Sequence, residues 1–282
     1  AVFSVAIRTL VLDRRTDQAE FGVGSGIVHD SEPGLEYNEC LLKSRFLTER
    51  PGEFELIETL RWEHRQGWVV LEEHLRRLRQ SSEYFGFMYE ENAVVGALNQ
   101  IGVELGKREG EFRIRLTLAR RGQINVTHSP LEKITQPLRV ALSPLRTDSH
   151  DRFLYHKTTR RELYDRELNR ATGEGLYDVL FCNERGEVTE GARTNILIRK
   201  GDTLFTPPVT CGVLPGTFRS HLLRSGSMNI VERPFSLDEL LAADEVLLCN
   251  ALRGLVNASL TPPSAFPLPE ETQRKSIAAE NE

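Results

Sequence analysis

Apolar positions recur along this chain with two periods, close to two in some stretches and close to 3.6 in others, and that difference separates strands from helices. The alternating stretch Val2–Leu12 reads as a strand, DRRTDQ as a turn, and Ala19–Val28 as a second strand running through Gly22, Gly24 and Gly26. A helix is expected from about Leu35 to Leu47. Two further strands, Glu55–Trp62 and Gly67–Val70, flank the polar turn EHRQ. The clearest helix follows. Leu71, Leu75, Leu78, Ser82 and Phe85 are spaced by four, three, four and three residues, one face of a helix, and Gly86 is placed to end it.

A second helix is expected over Glu91–Leu105, then strands near Phe112–Ala119, Gln123–His128 and Leu138–Ser143. The segment PLRTDSHDR, Pro144–Arg152, is polar and led by proline, which marks an interdomain linker. Beyond it the pattern predicts a helix over Thr158–Thr172, strands Asp178–Cys182 and Thr194–Ile198 with a loop VTEGAR between them, helices Thr217–Gly226 and Leu237–Ala242, and strands Asn229–Glu232 and Glu245–Cys249. From Thr261 the chain is proline-rich and then polar, the composition of a poorly ordered tail. The fold class is therefore α+β in two lobes.

Composition narrows the function classes. Among 282 residues, 39% are hydrophobic and 27% charged, the balance of a globular chain and not of a disordered one. Lys+Arg number 36 and Asp+Glu 41, a net charge of −5, which gives no support for a nucleic-acid partner, since such a partner would want a basic face. No apolar run is long enough for a membrane span, and the opening residues carry their charges after the apolar run, unlike a signal peptide. Cys40, Cys182, Cys211 and Cys249 form no CxxC pair, and three sit beside apolar residues (LFC, VTC, LLC), so buried free thiols and a cytoplasmic location are expected. No histidine spacing suggests a metal site.

Four segments carry candidate chemistry. Lys157, in LYHKTT, follows apolar and aromatic residues; it reads either as a solvated lysine at a helix start or as an amine desolvated enough to be a nucleophile. EVTEGARTNILI places Glu190 in a glycine-containing loop before an apolar strand. LPGTFR places Gly216 and Thr217 at a helix start, where free amides and the helix dipole favour a phosphate. EVLLCNALRG ends a strand in a turn at Asn250 and Ala251, a second source of donors.

At these residues the chain resembles the class IV pyridoxal-phosphate enzymes, which include branched-chain aminotransferases, D-amino-acid aminotransferases and aminodeoxychorismate lyases. The resemblance extends from Phe54 to Ala258 and includes FELIETLR, EEHLRRLRQSSEYFGF, HKTT, TEGARTNI, LPGTFR and CNALRG. It implies a two-lobed D-amino-acid aminotransferase-like fold, pyridoxal 5'-phosphate as cofactor, and a homodimer with its active site near the subunit interface. It further implies that Lys157 bonds the cofactor aldehyde, Glu190 faces the pyridine nitrogen and Arg77 pairs with the phosphate. Backbone groups at Gly216, Thr217 and Phe218, and around Asn250 and Ala251, complete the phosphate cup, and Arg253 is a candidate for a substrate carboxylate. Two departures stand out. Phe218 occupies a place where the aminotransferases commonly carry a hydroxyl, and SRFLTERPGEFELIETL replaces the usual glycine- and aspartate-rich lead-in.

The first fifty residues resemble something else. GVGSGIV and EYNEC match the C-terminal end of the chorismate-utilising component I of para-aminobenzoate and anthranilate synthases, in which Glu36 and Glu39 correspond to carboxylates of a magnesium site. Two carboxylates without the rest of the cage hold magnesium poorly, so these are read as vestigial and no metal is expected. The expected organisation is thus a synthase remnant over 1–48, a small N-terminal lobe over 49–143, a larger lobe with the lysine over 144–260 and a tail over 261–282. Joined, the two resemblances look like the rear of a bifunctional synthase–lyase. They imply an aminodeoxychorismate lyase of folate-precursor synthesis acting on a small molecule, with a glutamine amidotransferase partner if the full synthase is present. An aminotransferase on the same scaffold is the alternative, and a non-catalytic remnant binding a synthase subunit is a third reading.

Overall fold

The computed structural model describes residues 10–25, 27–29, 31–48 and 52–261, which fall into two units, Ala1–Glu53 and Phe54–Glu282. In the first unit, β1 (Leu10–Asp13) and β2 (Gln18–Phe21) form an antiparallel hairpin with Leu10 opposite Phe21, and α1 spans Pro33–Thr48. The strand expected to reach Val28 stops at Phe21, because the glycines after it offer no side chain to pack. Residues 2–9 of the expected first strand, and the tail from residue 262, lie outside the described residues. Pro33 opens α1, where its missing N–H costs nothing, and Glu36 lies in the first turn while Glu39 is exposed.

The second unit opens with a four-stranded antiparallel sheet in the order β4-β3-β5-β6, built from β3 (Leu56–Glu63), β4 (Gly67–Trp68), β5 (Glu111–Leu118) and β6 (Ile124–Pro130). Between β4 and β5 run α2 (Leu71–Phe85) and α3 (Glu91–Leu105). Strand periodicity sends Leu56, Leu60, Trp62, Phe112, Ile114, Leu116 and Leu118 to one face, where they bury against Leu78, Val94, Leu98 and Leu105 of the helices. The expected stop at Gly86 is observed. Its φ of 68° is the left-handed conformation that glycine adopts freely, and its amide caps the carbonyl of Ser82. The opposite face, carrying Thr59, Arg113 and Arg115, is left for a cavity.

The remaining elements are β7 (Leu138–Thr147), α4 (Glu162–Gly173), β8 (Asp178–Asn183), β9 (Val188–Gly191), β10 (Asn195–Lys200), β11 (Thr203–Thr206), α5 (Thr217–Ser225), β12 (Ile230–Glu232), α6 (Leu237–Leu241), β13 (Glu245–Asn250) and β14 (Gly254–Leu260). Their strands form a mixed sheet in the order β12-β11-β10-β13-β14-β7-β8-β9. An added pairing of β9 with β10, Glu190 opposite Asn195, closes six of these strands into a ring. Its core holds Leu138, Val140, Leu180, Val188, Ile196, Ile198, Leu248 and Val256. Cys182, Cys211 and Cys249 are buried thiols, whereas Cys40 is only partly buried.

Two expectations fail here for identifiable reasons. The segment read as a linker, Pro144–Arg152, begins inside β7, which pairs with β8 through Thr147. The register shifts between Leu142 and Arg146, and a bulge of that kind accommodates a proline with no N–H to give. Because β7 belongs to the larger sheet from Leu138 onward, the chain crosses between sheets over residues 131–137, ahead of the expected boundary at 143/144. The helix expected from Thr158 starts at Glu162, because Thr158 instead bridges Leu56 of β3. Strands β9, β11 and β14 had no counterpart in the sequence reading; β9 was taken for a loop because its glycine ends it.

Candidate active site

Both sheets of the second unit contribute walls to one cavity of about 1050 Å³. Lys157 reaches it because the residues around it are held extended against β3. The Lys157 carbonyl accepts from the Ile57 amide at 2.9 Å, the Thr159 amide donates to the Glu55 carbonyl at 2.9 Å, and the Glu55 amide donates to Thr159 Oγ1 at 2.9 Å. A helical start at Thr158 would break this clamp. Burial, with the guanidinium charges of Arg77 and Arg161, depresses the Lys157 amine to about 7 against the pull of Glu58 and Glu190. Lys157 is half-buried in the cavity wall and lies outside α4, so it is not the solvated lysine at a helix start.

Glu190 comes from the ring closure. Opposite it on β10, Asn195 donates through Nδ2 to Glu190 Oε2 at 3.0 Å, and the Tyr164 hydroxyl of α4 donates to Oε1 at 3.3 Å. The residue is 6% exposed, and burial lifts its carboxyl to about 8. Burial also pushes the Tyr164 phenol up, and the facing carboxylate adds to the effect.

Arg77 lies on the inward face of α2 and is 7% exposed. It grips Glu58 of β3 twice, Nε to Oε1 at 2.9 Å and Nη2 to Oε2 at 2.6 Å. His74, one turn earlier on the same face, donates Nδ1–H to Glu58 Oε2 at 2.6 Å, and its Nε2 lies 3.4 Å from the Thr217 hydroxyl. Burial drives the carboxyl of Glu58 up, but Arg77 and His74 together outweigh it and hold the group at about 2. Burial also lowers the His74 imidazole, against the pull of Glu58.

α5 points its N-terminus into the same cavity. Gly216 is its N-cap without a side-chain cap, so the first amides remain free. A Cβ at Gly216 would lie 1.8 Å from Asn195 Oδ1, so only glycine fits. Free amides, the helix dipole and Arg77 converge there as an anion cup.

Lys157, Arg77, Glu190, Gly216, Thr217, Asn250, Ala251 and Arg253 therefore all line one cavity. Phe218 does not. Its ring packs on the cluster of Leu197, Leu204 and Leu222, leaving only its amide near the cup. The Asn250 side chain builds its own turn, accepting from the amides of Leu252 at 3.1 Å and Arg253 at 2.9 Å. The Arg253 guanidinium donates to the Glu132 carbonyl at 2.5 Å. Sequence reading missed Glu58, His74, Tyr164 and Asn195. Glu58, His74 and Asn195 lie within FELIETLR, EEHLRRLRQSSEYFGF and TEGARTNI, and that was their signal. Among the described residues, Glu36 and Glu39 fall in no group of metal-type side chains, and the single such group is the exposed Asp148, His150 and Glu184.

Comparison with known proteins identifies the scaffold. Residues 55–260 match the amino-transferase class IV family. The chain belongs to that family. Residues 1–49 match the chorismate binding enzyme family, so a class IV enzyme here follows a chorismate-binding fragment. A Schizosaccharomyces pombe protein named "Putative aminodeoxychorismate lyase" is 29% identical over 65% of this chain and 80% of its own length. The aminodeoxychorismate lyase of Saccharomyces cerevisiae is 30% identical over 43% of this chain and 36% of its own. A crystal structure described as a "Putative amino-acid aminotransferase" from Mesorhizobium loti superposes with a TM-score of 0.68 at 34% identity, covering 74% of this chain and 100% of that one. Enzymes of this fold generally use pyridoxal phosphate. A near-neutral amine, a buried carboxyl and an anion cup in one cavity fit that cofactor.

The raised Glu190 carboxyl predicts a pH effect on the cofactor-free protein. Its folded value of about 8 lies above the model value of 4.5, so the folded state holds the proton more tightly. The associated stability is complete below about 4.5 and is lost as pH rises toward 8. Glu190→Gln abolishes that loss. In urea denaturation the variant should gain on the order of 2–4 kcal/mol over wild type between pH 5 and pH 8.

Proposed function

We propose that this chain is a pyridoxal 5'-phosphate-dependent aminodeoxychorismate lyase, converting 4-amino-4-deoxychorismate to 4-aminobenzoate and pyruvate. The choice of substrate rests on one observation, a chorismate-binding fragment over residues 1–49 joined to a class IV enzyme over 55–260. The named lyase relatives support it.

Lys157 would hold the cofactor through its aldehyde, Glu190 would lie against the pyridine nitrogen, and Arg77, Thr217 and the first amides of α5 would take the phosphate. When bound, the cofactor supplies a sink for the electron pair released at the carbon bearing the substrate amine. Lys157 Nζ, half neutral near pH 7, removes the proton from that ring carbon. Loss of the neighbouring enolpyruvyl group then makes the ring aromatic, which drives the step. The proton on Nζ returns to the departing three-carbon unit, giving pyruvate, so no water and no second substrate enter the balance. Glu58 and His74 play no part in the proton traffic; they keep Arg77 and Thr217 in place.

The alternative, an aminotransferase on the same scaffold, is favoured by relatives such as the D-alanine aminotransferase of Bacillus licheniformis, 23% identical over 64% of this chain and 70% of its own length. Incubation with 4-amino-4-deoxychorismate decides between them. The lyase releases 4-aminobenzoate and pyruvate without a keto-acid acceptor. Amino transfer to 2-oxoglutarate with no such release would establish the transaminase. The same reading includes a homodimer. It also includes a cytoplasmic location, which suits three buried thiols, and an amidotransferase partner for any complete synthase.

A further inference from the structure

We propose that His74 takes up a proton when a phosphate enters the cup at α5, so that the Glu58–His74–Thr217 chain couples cofactor binding to proton uptake. The inference rests on the reading that this cup holds the cofactor phosphate, and goes beyond it in giving a role to a residue outside the cup.

The chain runs through side chains of three elements. Glu58 of β3 accepts three N–H groups, two from the Arg77 guanidinium and one from His74 Nδ1 at 2.6 Å. With its carboxyl held at about 2, Glu58 is ionised and can only accept, so Nδ1 carries a hydrogen in either charge state of the ring. The other ring nitrogen, Nε2, lies 3.4 Å from the Thr217 hydroxyl at the start of α5. Neither atom has another hydrogen-bond partner among the described residues. Glu58, His74 and Thr217 are each 4% exposed or less, so bulk water does not supply a missing partner.

This geometry ties the direction of the last bond to the charge on the ring. A neutral ring has a bare Nε2, which needs the single hydroxyl hydrogen of Thr217. A charged ring donates from Nε2 and leaves that hydrogen free to point into the cup. A phosphate dianion offers only acceptors and competes for it. Once Thr217 donates to phosphate, a bare Nε2 would face a hydroxyl lone pair in a buried site, and a proton on Nε2 removes the conflict.

Charge acts in the same direction. In the cofactor-free protein, burial together with Arg77 and Lys157 holds the imidazole below its ordinary value in spite of Glu58, so the ring is neutral at pH 7. The dipole of α5 adds to those cations. Two negative charges in the cup reverse the balance. The bound state therefore holds the proton more tightly than the free state, and affinity falls as pH rises between the two His74 values. This proton stays on His74 through turnover and is separate from the one that Lys157 moves.

The test is 15N NMR at pH 7.5 on protein labelled in its histidine rings, with His74→Gln identifying the signal. Without ligand, His74 should show one protonated and one bare nitrogen. Pyridoxal 5'-phosphate should protonate both, whereas pyridoxal, which lacks the phosphate, should leave Nε2 bare. Thr217→Val should keep Nε2 bare even with pyridoxal 5'-phosphate, and marks the signal if His74→Gln does not fold. The same variant should bind that ligand about ten- to a hundredfold more weakly and take up about one proton fewer, by calorimetry in buffers of different ionisation enthalpy. A bare Nε2 in the wild-type complex, or equal protonation by pyridoxal or in Thr217→Val, overturns the coupling. If pyridoxal 5'-phosphate gives no absorbance change and no borohydride adduct, the cofactor reading fails, and inorganic phosphate as probe then decides the coupling by the same signal. Inorganic phosphate that also leaves Nε2 bare overturns it.

Discussion

Lys157→Met is expected to lose turnover while gaining stability. Proton transfer by a positioned amine contributes roughly 10²–10⁴-fold by itself, and under the proposed function the same amine would also anchor the cofactor, so the loss should exceed that range. Borohydride reduction of wild-type holoenzyme should fix the cofactor mass on the peptide containing residue 157, and the variant should show no such adduct. Stability should move the other way. The amine titrates at about 7 in the fold against a model value of 10.5, so burying it costs stability that grows as pH falls from 10.5 and is complete below about 7. Methionine fills the space without a charge. The cofactor-free variant should therefore be more stable than wild type at pH 6, by on the order of 1–3 kcal/mol, in urea denaturation. A lysine with a purely structural role would give the opposite sign.

Glu58→Ala should be the most damaging single change to the scaffold. The carboxylate is 2% exposed and satisfies both the Arg77 fork and the His74 ring. Removing it leaves a guanidinium buried without its partner, and breaking one side of a buried ion pair costs about 3–5 kcal/mol. Arg77 would then swing toward other acceptors, of which the Pro215 carbonyl is already 3.4 Å from Nη1. Cofactor affinity, followed by absorbance during dialysis, should drop with it. Glu58→Gln keeps the shape and one acceptor and should lose less of both. Because the folded carboxyl titrates at about 2 and its model value is 4.5, the wild-type advantage over Glu58→Gln exists above about 4.5 and disappears as pH falls through 2. An acid titration of both proteins checks the sign.

These two residues differ in how visible they were beforehand. Lys157 belongs to a segment, LYHKTT, that by itself reads either as a solvated lysine or as a desolvated amine, and it stood out through the family motif HKTT. Glu58 is one polar residue in an apolar alternation, and such a residue usually faces solvent or a partner that sequence distance hides. Its partners lie 16 and 19 residues away on α2, and Thr217 joins them from 143 residues beyond His74. Similarly, Asn195 was visible only as part of TEGARTNI. Its role arises because β9 and β10 pair and bring its amide onto Glu190.

What the chain determines alone is local. The spacing of Leu71, Leu75, Leu78 and Phe85 makes α2 amphipathic, and glycine at 86 ends it, because these depend on neighbours within a turn or two. The residue types at 157, 190 and 216–217 likewise limit the chemistry to an amine, a carboxyl and an anion cup. Tertiary structure decides the rest. Pro144 stays within β7 because β8 holds the strand on either side of a bulge, and Thr158 is withheld from a helix because β3 offers it a partner. The free face of β5 becomes a cavity wall only because the larger sheet stands against it. A proton affinity is set by desolvation and by charges brought close, and both are properties of the assembled fold that no window of sequence contains.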